Sequence, residues 1–153
     1  DQGYADDSVW SRGQAWVVYG LALAYRYTGD KHIADVQKKA TDTFIKLLPK
    51  DNVPAWDMIF TDCRTLKDTS AAVIATCGML ESGYSREKVF DIVKALGNEH
   101  TTKGKGIEGT SILMHSTSSV RHNMGINESL PYGDYYYMET LYRLLNPDWK
   151  CYW

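Results

Sequence analysis

The stretch from Asp6 to Asp30, DDSVWSRGQAWVVYGLALAYRYTGD, decides how the rest of the chain is read. Its middle, Ala15 to Tyr25, runs AWVVYGLALAY. Wound as a helix, this segment is apolar on every side, and such a helix is enclosed by other helices rather than laid on a surface. Asp7 or Ser8 can cap it, and Gly29 lies just past its end, so a helix is expected from about Ser8 to Tyr27.

The next segment is of the other kind. From about Asp30 to Leu48, the residues Ile33, Val36, Ala40, Phe44 and Leu47 fall on one stripe. Lys38, Lys39 and Lys46 fall off it, which is the pattern of an amphipathic surface helix, and Pro49 ends it. A loop follows, and then SAAVIATCGML is again apolar all round. Asp68 or Thr69 can cap this third helix, and Gly78 permits a close approach by a neighbour. A fourth helix, from about Ser85 to Leu96, is striped by Val89, Ile92, Val93 and Leu96.

Residues 98–131 form a long Gly-, Ser- and Thr-rich stretch, with a short hairpin expected around Ile112–Met114. Loops of this length without structure of their own are often functional. The fifth helix, from about Tyr132 to Leu145, is expected to turn Met138, Leu141 and Leu145 inward. The order is therefore buried, surface, buried, surface, buried. A ring of helical hairpins produces this alternation, and five helices are too few to close one. A stack of α-hairpins would alternate in the same way, although no repeat of fixed period is visible.

Composition narrows the function. The chain has 153 residues and a net charge of −2, so no global basic field points to nucleic acid or to an anionic membrane surface. No stretch reaches the length of a transmembrane helix. Three cysteines, Cys63, Cys77 and Cys151, make no disulfide framework and leave either cytoplasm or periplasm open. Cys77 falls in an apolar helix and reads as an inert core residue. No His/Cys cluster marks a metal site, and His32, His100, His115 and His122 are scattered. The five Trp and eleven Tyr are rich enough to fill a core and to stack on sugar rings as well. The chain opens at Asp1 with no initiator methionine, so a piece of something longer is expected.

The residues with chemical potential gather at the start of the first helix. Arg12 and Trp16 are four apart and share a face. A guanidinium fork binds a carboxylate bidentately, so an arginine beside an indole suits an anionic, flat-faced ligand such as a uronic acid. The bland alternative is a cation–π pair at a structural helix end, with Trp10 or Trp16 as the ring. Gln2 and Gln14 supply polar groups near the same region. Asp57 stands in a long loop beside Trp56. Asp134, in the first turn of the fifth helix, reads as a cap or as the partner of Arg12. No pair of carboxylates reads as a catalytic dyad.

Three blocks then carry a resemblance: DDSVWSRGQAWVVYGLALAYRYTGD, VPAWD with KDTSAAVIATCGMLE, and ESLPYGDYYYMETLYRLL. In this order they resemble the unsaturated glucuronyl hydrolases, glycoside hydrolase family 88. The resemblance implies an all-α fold, the (α/α)6 barrel of alternating inner and outer helices, with this chain as its C-terminal portion. The implied partners are an unsaturated uronic acid oligosaccharide left by a polysaccharide lyase and the missing N-terminal half of the parent chain. The implied reaction is hydration of a vinyl ether. An aspartic acid protonates C4, water adds at C5, and the hemiketal opens to release the remaining sugars, with no metal or other cofactor. In the family the catalytic aspartates lie upstream of these blocks, so no catalytic residue carries over. Gln2, Trp10, Arg12 and Trp16 match substrate-contacting positions, and Tyr132 and Asp134 lie in the other matching block. Asp1 stands where histidine is expected. The rival readings are an unsaturated rhamnogalacturonyl hydrolase, a sugar epimerase, or a non-catalytic carbohydrate-binding helical fragment. An epimerase is expected to use histidine bases, and no histidine falls in the matched blocks.

Overall fold

The structure, a computed structural model, describes residues 2–107 and 109–150. Asp1 and Cys151 therefore lie outside the described residues. Five helices follow in order: α1 (Ser11–Thr28), α2 (Lys31–Leu47), α3 (Thr69–Glu81), α4 (Arg86–Glu99) and α5 (Pro131–Leu145). Helix α3 is the hub, packing on α1, α4 and α5, while α2 packs on α1. The inner helices are thus α1, α3 and α5, and α2 and α4 lie outside them, as the alternation predicts.

The character of each helix follows from its surroundings. Every residue of α3 from Thr69 to Met79 is buried. It crosses α1 at Gly78, where an added Cβ would meet Tyr19 Cα at 2.7 Å. Any side chain there would force the two backbones apart. On the outside, α2 turns Phe44, Gln37 and Thr41 inward, and α4 turns Val89, Ile92 and Leu96 inward. Asp30, Asp68 and Ser85 cap α2, α3 and α4 by accepting backbone N–H groups in the first turn. Gly29 closes α1 in the left-handed conformation.

Three expectations are corrected. First, α1 begins at Ser11 with Trp10 at the capping position and no side-chain cap. Neither Asp7 nor Ser8 fills that role, because the Ser8 hydroxyl donates to Asp57 and to the Ala5 carbonyl. Second, α1 is not enclosed on every side among the described residues: it packs on α2 and α3 and meets α5 through Tyr19, whose hydroxyl donates to Glu139 at 2.7 Å, while Trp16 and Val17 are exposed. Third, α5 is turned from the predicted setting: Leu141 packs against the core as expected, but Met138 is 52% exposed and Leu145 81%. The reason is a polar seam between α3 and α5. Thr140 and Thr76 share a hydrogen bond of 2.8 Å, and Arg143 donates to the Cys77 carbonyl at 2.7 Å and pairs with Glu81. Satisfying these groups brings Tyr137, Thr140 and Arg143 inward and leaves Met138 on the open side. Cys77 is buried beside the seam, and burial pushes its thiol well up, which keeps it inert.

The long connection between α4 and α5 forms no strand among the described residues. It is held by isolated antiparallel bridges, Thr101 with Leu113, Ser116 with Glu128, and Ser119 with Met124. The hairpin expected near Ile112–Met114 is thus reduced to one bridge. This connection lies across the N-terminal ends of the inner helices. Thr69, the first residue of α3, donates its hydroxyl to the Met114 carbonyl at 2.8 Å. A Cβ on Gly133, in the first turn of α5, would touch both Ser116 and Ser70 at 3.4 Å. Among the described residues no helix is long and apolar enough to cross a membrane.

Candidate functional site

The N-terminal ends of α1, α3 and α5 meet around Arg12. The residue is only 4% exposed although it carries a permanent charge. Such burial requires partners. Asp68, the cap of α3, supplies a carboxylate oxygen 2.7 Å from Nη1. Nη1 also donates to the Thr117 carbonyl at 2.9 Å, and Nη2 donates to the Ser118 carbonyl. The rings of Trp10 and Tyr132 lie 4.8 and 5.3 Å from the guanidinium carbon. Arg12 therefore ties α1 to α3, to the α4–α5 connection and to the start of α5.

The sequence around it is explained by this packing. Trp10 folds back over the first turn of α1, and a Cβ on Gly13 would come within 2.8 Å of its ring. The glycine of RGQAW is the residue that lets the indole lie there. Trp10 also pairs with Asp57 in an antiparallel bridge, and Met58 N–H donates to the Val9 carbonyl at 2.8 Å. Asp57 is fully buried and accepts from Tyr4 N–H, the Ser8 hydroxyl and Ile59 N–H. It shapes the loop before α1.

The other candidates separate into groups. Trp16 is 40% exposed and meets Tyr136 edge-on at 5.4 Å between ring centres. Tyr136 meets Tyr135 at 4.8 Å, so Trp16, Tyr136 and Tyr135 make an aromatic row beside the Arg12 cluster. Gln2 is exposed. Gln14 turns away and donates to the Ala40 carbonyl of α2 at 2.9 Å. Asp134 is not the partner of Arg12. Its two oxygens accept the backbone N–H groups of Ile112 and Leu113 at 3.0 and 2.8 Å, so it anchors the connection to α5. The partner of Arg12 is Asp68, which the sequence marks only as a helix cap. Burial pushes the Asp68 carboxyl up, and the Arg12 guanidinium and the donors Ser70 and Ala71 N–H oppose that shift. Nothing in the spacing of Arg12 and Asp68 announces their contact.

The Trp10 indole N–H is buried without a hydrogen-bond partner among the described residues. Indole, phenol and guanidinium together form an aromatic wall around a single cation. Aromatic faces and a fixed positive charge suit a planar, anionic sugar ring.

No protein-family model matches the chain. Individual relatives do. The unsaturated chondroitin disaccharide hydrolase of Streptococcus pneumoniae is 39% identical, over 99% of this chain and 41% of that protein. The unsaturated glucuronyl hydrolase of Formosa agariphila is 37% identical, over 95% of this chain and 38% of that protein. A crystal structure of a variant of the Streptococcus agalactiae unsaturated glucuronyl hydrolase superposes on all of this chain with a TM-score of 0.91 at 36% identity. The chain belongs with the unsaturated glucuronyl hydrolases. It spans about two fifths of the length of those relatives, 41% and 43% in the first of each kind. The unsaturated glucuronyl hydrolases are (α/α)6 barrels, and α1 to α5 supply alternating inner and outer helices of that architecture. One structure of the S. agalactiae protein holds dGlcA-GalNAc6S, an unsaturated disaccharide.

Proposed function

We propose that this chain is the C-terminal part of an (α/α)6 glycoside hydrolase that removes Δ4,5-unsaturated uronic acid from oligosaccharides produced by polysaccharide lyases. The observation that carries this reading is the likeness to unsaturated glucuronyl hydrolases along the whole chain, at 36% identity and a TM-score of 0.91. The aromatic wall at the inner helix ends is where this chain would meet the sugar.

The chemistry divides between the two parts of the polypeptide. A carboxylic acid outside this chain protonates C4 of the unsaturated ring, and water adds at C5. The hemiketal opens and expels the rest of the saccharide. This chain binds and orients. Trp10, Trp16 and Tyr132 offer faces for the sugar ring, and Gln2 offers an amide for its hydroxyls. Arg12 supplies positive charge beside the uronate and holds Trp10 and Tyr132 in register. Both of its Nη groups are already bonded to Asp68, Thr117 and Ser118, so its charge and its placement matter more than a free fork. Asp134 acts through the connection it anchors.

The test is an assay of the complete enzyme on chondroitin-, heparin- and gellan-derived unsaturated disaccharides, following loss of the double bond's ultraviolet absorbance. Loss with at least one of them supports the reading. Tight binding without turnover would favour a carbohydrate-binding protein, and neither binding nor turnover would remove the reading altogether.

A further inference from the structure

His100 caps the C-terminal end of α4, and His115 lies in the connection that crosses the inner helix ends. Their Nδ1 atoms are 2.8 Å apart, and the rings meet edge-on with centres 5.0 Å apart. Two imidazole nitrogens at this distance need one proton between them, so one ring donates and the other accepts. The backbone beside them is laced to match. Met114 N–H donates to the His100 carbonyl at 2.8 Å, and Thr69 N–H donates to the His115 carbonyl at 3.3 Å. His115 itself has a φ of 62°, the left-handed region that non-glycine residues rarely adopt. The ring contact thus holds a turn that its own backbone disfavours. Two and three residues further on, the Thr117 and Ser118 carbonyls receive Arg12.

We propose that His100 and His115 are positioning residues for the sugar site: by sharing one proton they latch the connection so that its carbonyls stay on Arg12, and acid releases the latch. The role in substrate binding rests on the function proposed above, whereas the latch stands on its own geometry.

The proton count sets the behaviour. With both rings neutral, the donor ring has a bare Nε2. A first added proton goes there and leaves the Nδ1–H···Nδ1 contact intact. A second must take the accepting Nδ1 and breaks it. Several charged groups face the pair. Burial first, and His115 next, hold His100 down to about 4, with Lys67 and Lys105 adding to the shift and Asp51 opposing it. Burial and Lys105 lower His115 as well. Arg64, Glu99 and Cys63 line the same cavity, of about 560 Å³. When the connection opens, the rings return to water and to the ordinary value of 6.5. Between 6.5 and about 4 the open form therefore holds more protons than the closed form. Acidification favours opening by up to about tenfold per pH unit for each proton taken up.

Amide hydrogen exchange on the complete enzyme, corrected for its intrinsic pH dependence, reads this opening at Leu113, Met114 and Ser116. From about pH 7 to about pH 5.5 protection of these amides should fall about tenfold in the wild type, while amides of α2 hold theirs. His100→Gln, which removes the group held down to about 4, should take away most of that fall. His115→Asn, which tolerates the left-handed backbone, should shrink it by less, because burial still holds His100 down, and it guards against a variant that fails to fold. KM for an unsaturated disaccharide should rise over the same interval in the wild type and rise less in both variants. Protection that ignores pH in the wild type, or falls equally in the variants, would overturn the latch. A pH-sensitive latch with an unresponsive KM would overturn the positioning role. An enzyme inert towards every unsaturated disaccharide would remove the site reading, and the exchange data would still decide the latch.

Discussion

Arg12 and Asp68 form a buried ion pair, with side chains 5% and 0% exposed and nitrogen and oxygen 2.7 Å apart. The pair joins the starts of two inner helices, and each partner does a second task. Asp68 caps α3, and Arg12 gathers two carbonyls and two aromatic rings. Removing Asp68 leaves a guanidinium buried without its counter-charge. Asp68→Ala in the complete enzyme should lower stability by about 3–5 kcal/mol. Asp68→Asn keeps an acceptor for the α3 cap and should lose less. Urea denaturation with activity as a parallel probe would measure both, and equal stability of Asp68→Ala and wild type would show the pair to be inessential.

Arg12→Ala should lower kcat/KM by about tenfold to about 150-fold, in line with a charged contact of about 1.5–3 kcal/mol. It should also destabilise the enzyme, because the Asp68 carboxylate is left buried without its counter-charge. Arg12→Lys should also be impaired, because an ammonium cannot reach Asp68 and two separate carbonyls in one plane. Steady-state kinetics on an unsaturated disaccharide checks this. Unchanged kinetics in both variants would place Arg12 outside the working site.

Trp16 gives a cleaner separation of binding from folding. It is 40% exposed and lies against Tyr136 by its edge. Trp16→Ala should lower kcat/KM by roughly tenfold, about 1.4 kcal/mol, while stability changes by only about 0.5 kcal/mol. A large loss of stability with normal kinetics would show that the indole only packs.

Gly78→Ala tests the closeness of α1 and α3. The new methyl would sit 2.7 Å from Tyr19 Cα and 2.8 Å from Tyr19 N, both backbone atoms that cannot swing aside. Overpacking of this kind costs about 1–3 kcal/mol, read as a lowered Tm. No change in Tm would mean that the two helices can move apart freely.

The hydrophobic pattern made much of the fold legible. AWVVYGLALAY and SAAVIATCGML announce enclosed helices, and the stripes of α2 and α4 announce their outer position. Helix ends were legible where glycine or a capping side chain acts locally, as at Gly29, Asp68 and Ser85. They were not legible where the decisive contact is distant. Ser8 looks like a cap but is claimed by Asp57, 49 positions away. Met138 looks inward on α5, yet the Thr140–Thr76 and Arg143–Glu81 contacts turn the helix otherwise. The same limit governs the site. Arg12 with Trp10 and Trp16 was visible as a charged aromatic group; the structure sets Trp10 against Arg12 and adds Tyr132 from α5, which no spacing announces. That Asp68 rather than Asp134 pairs with Arg12, and that His100 meets His115, depends on how the α4–α5 connection crosses the helix ends. Periodicity carries no information about such a crossing.

The central claim is that the ends of α1, α3 and α5 form the wall against which an unsaturated uronic acid is held. A crystal structure of the complete enzyme, with its acid neutralised by substitution and an unsaturated chondroitin disaccharide soaked in, tests this most directly. The account predicts the uronate ring in van der Waals contact with at least one of Trp10, Trp16 and Tyr132, with its carboxylate on the Arg12 side. A disaccharide bound with all three aromatic rings and Arg12 out of reach would contradict it.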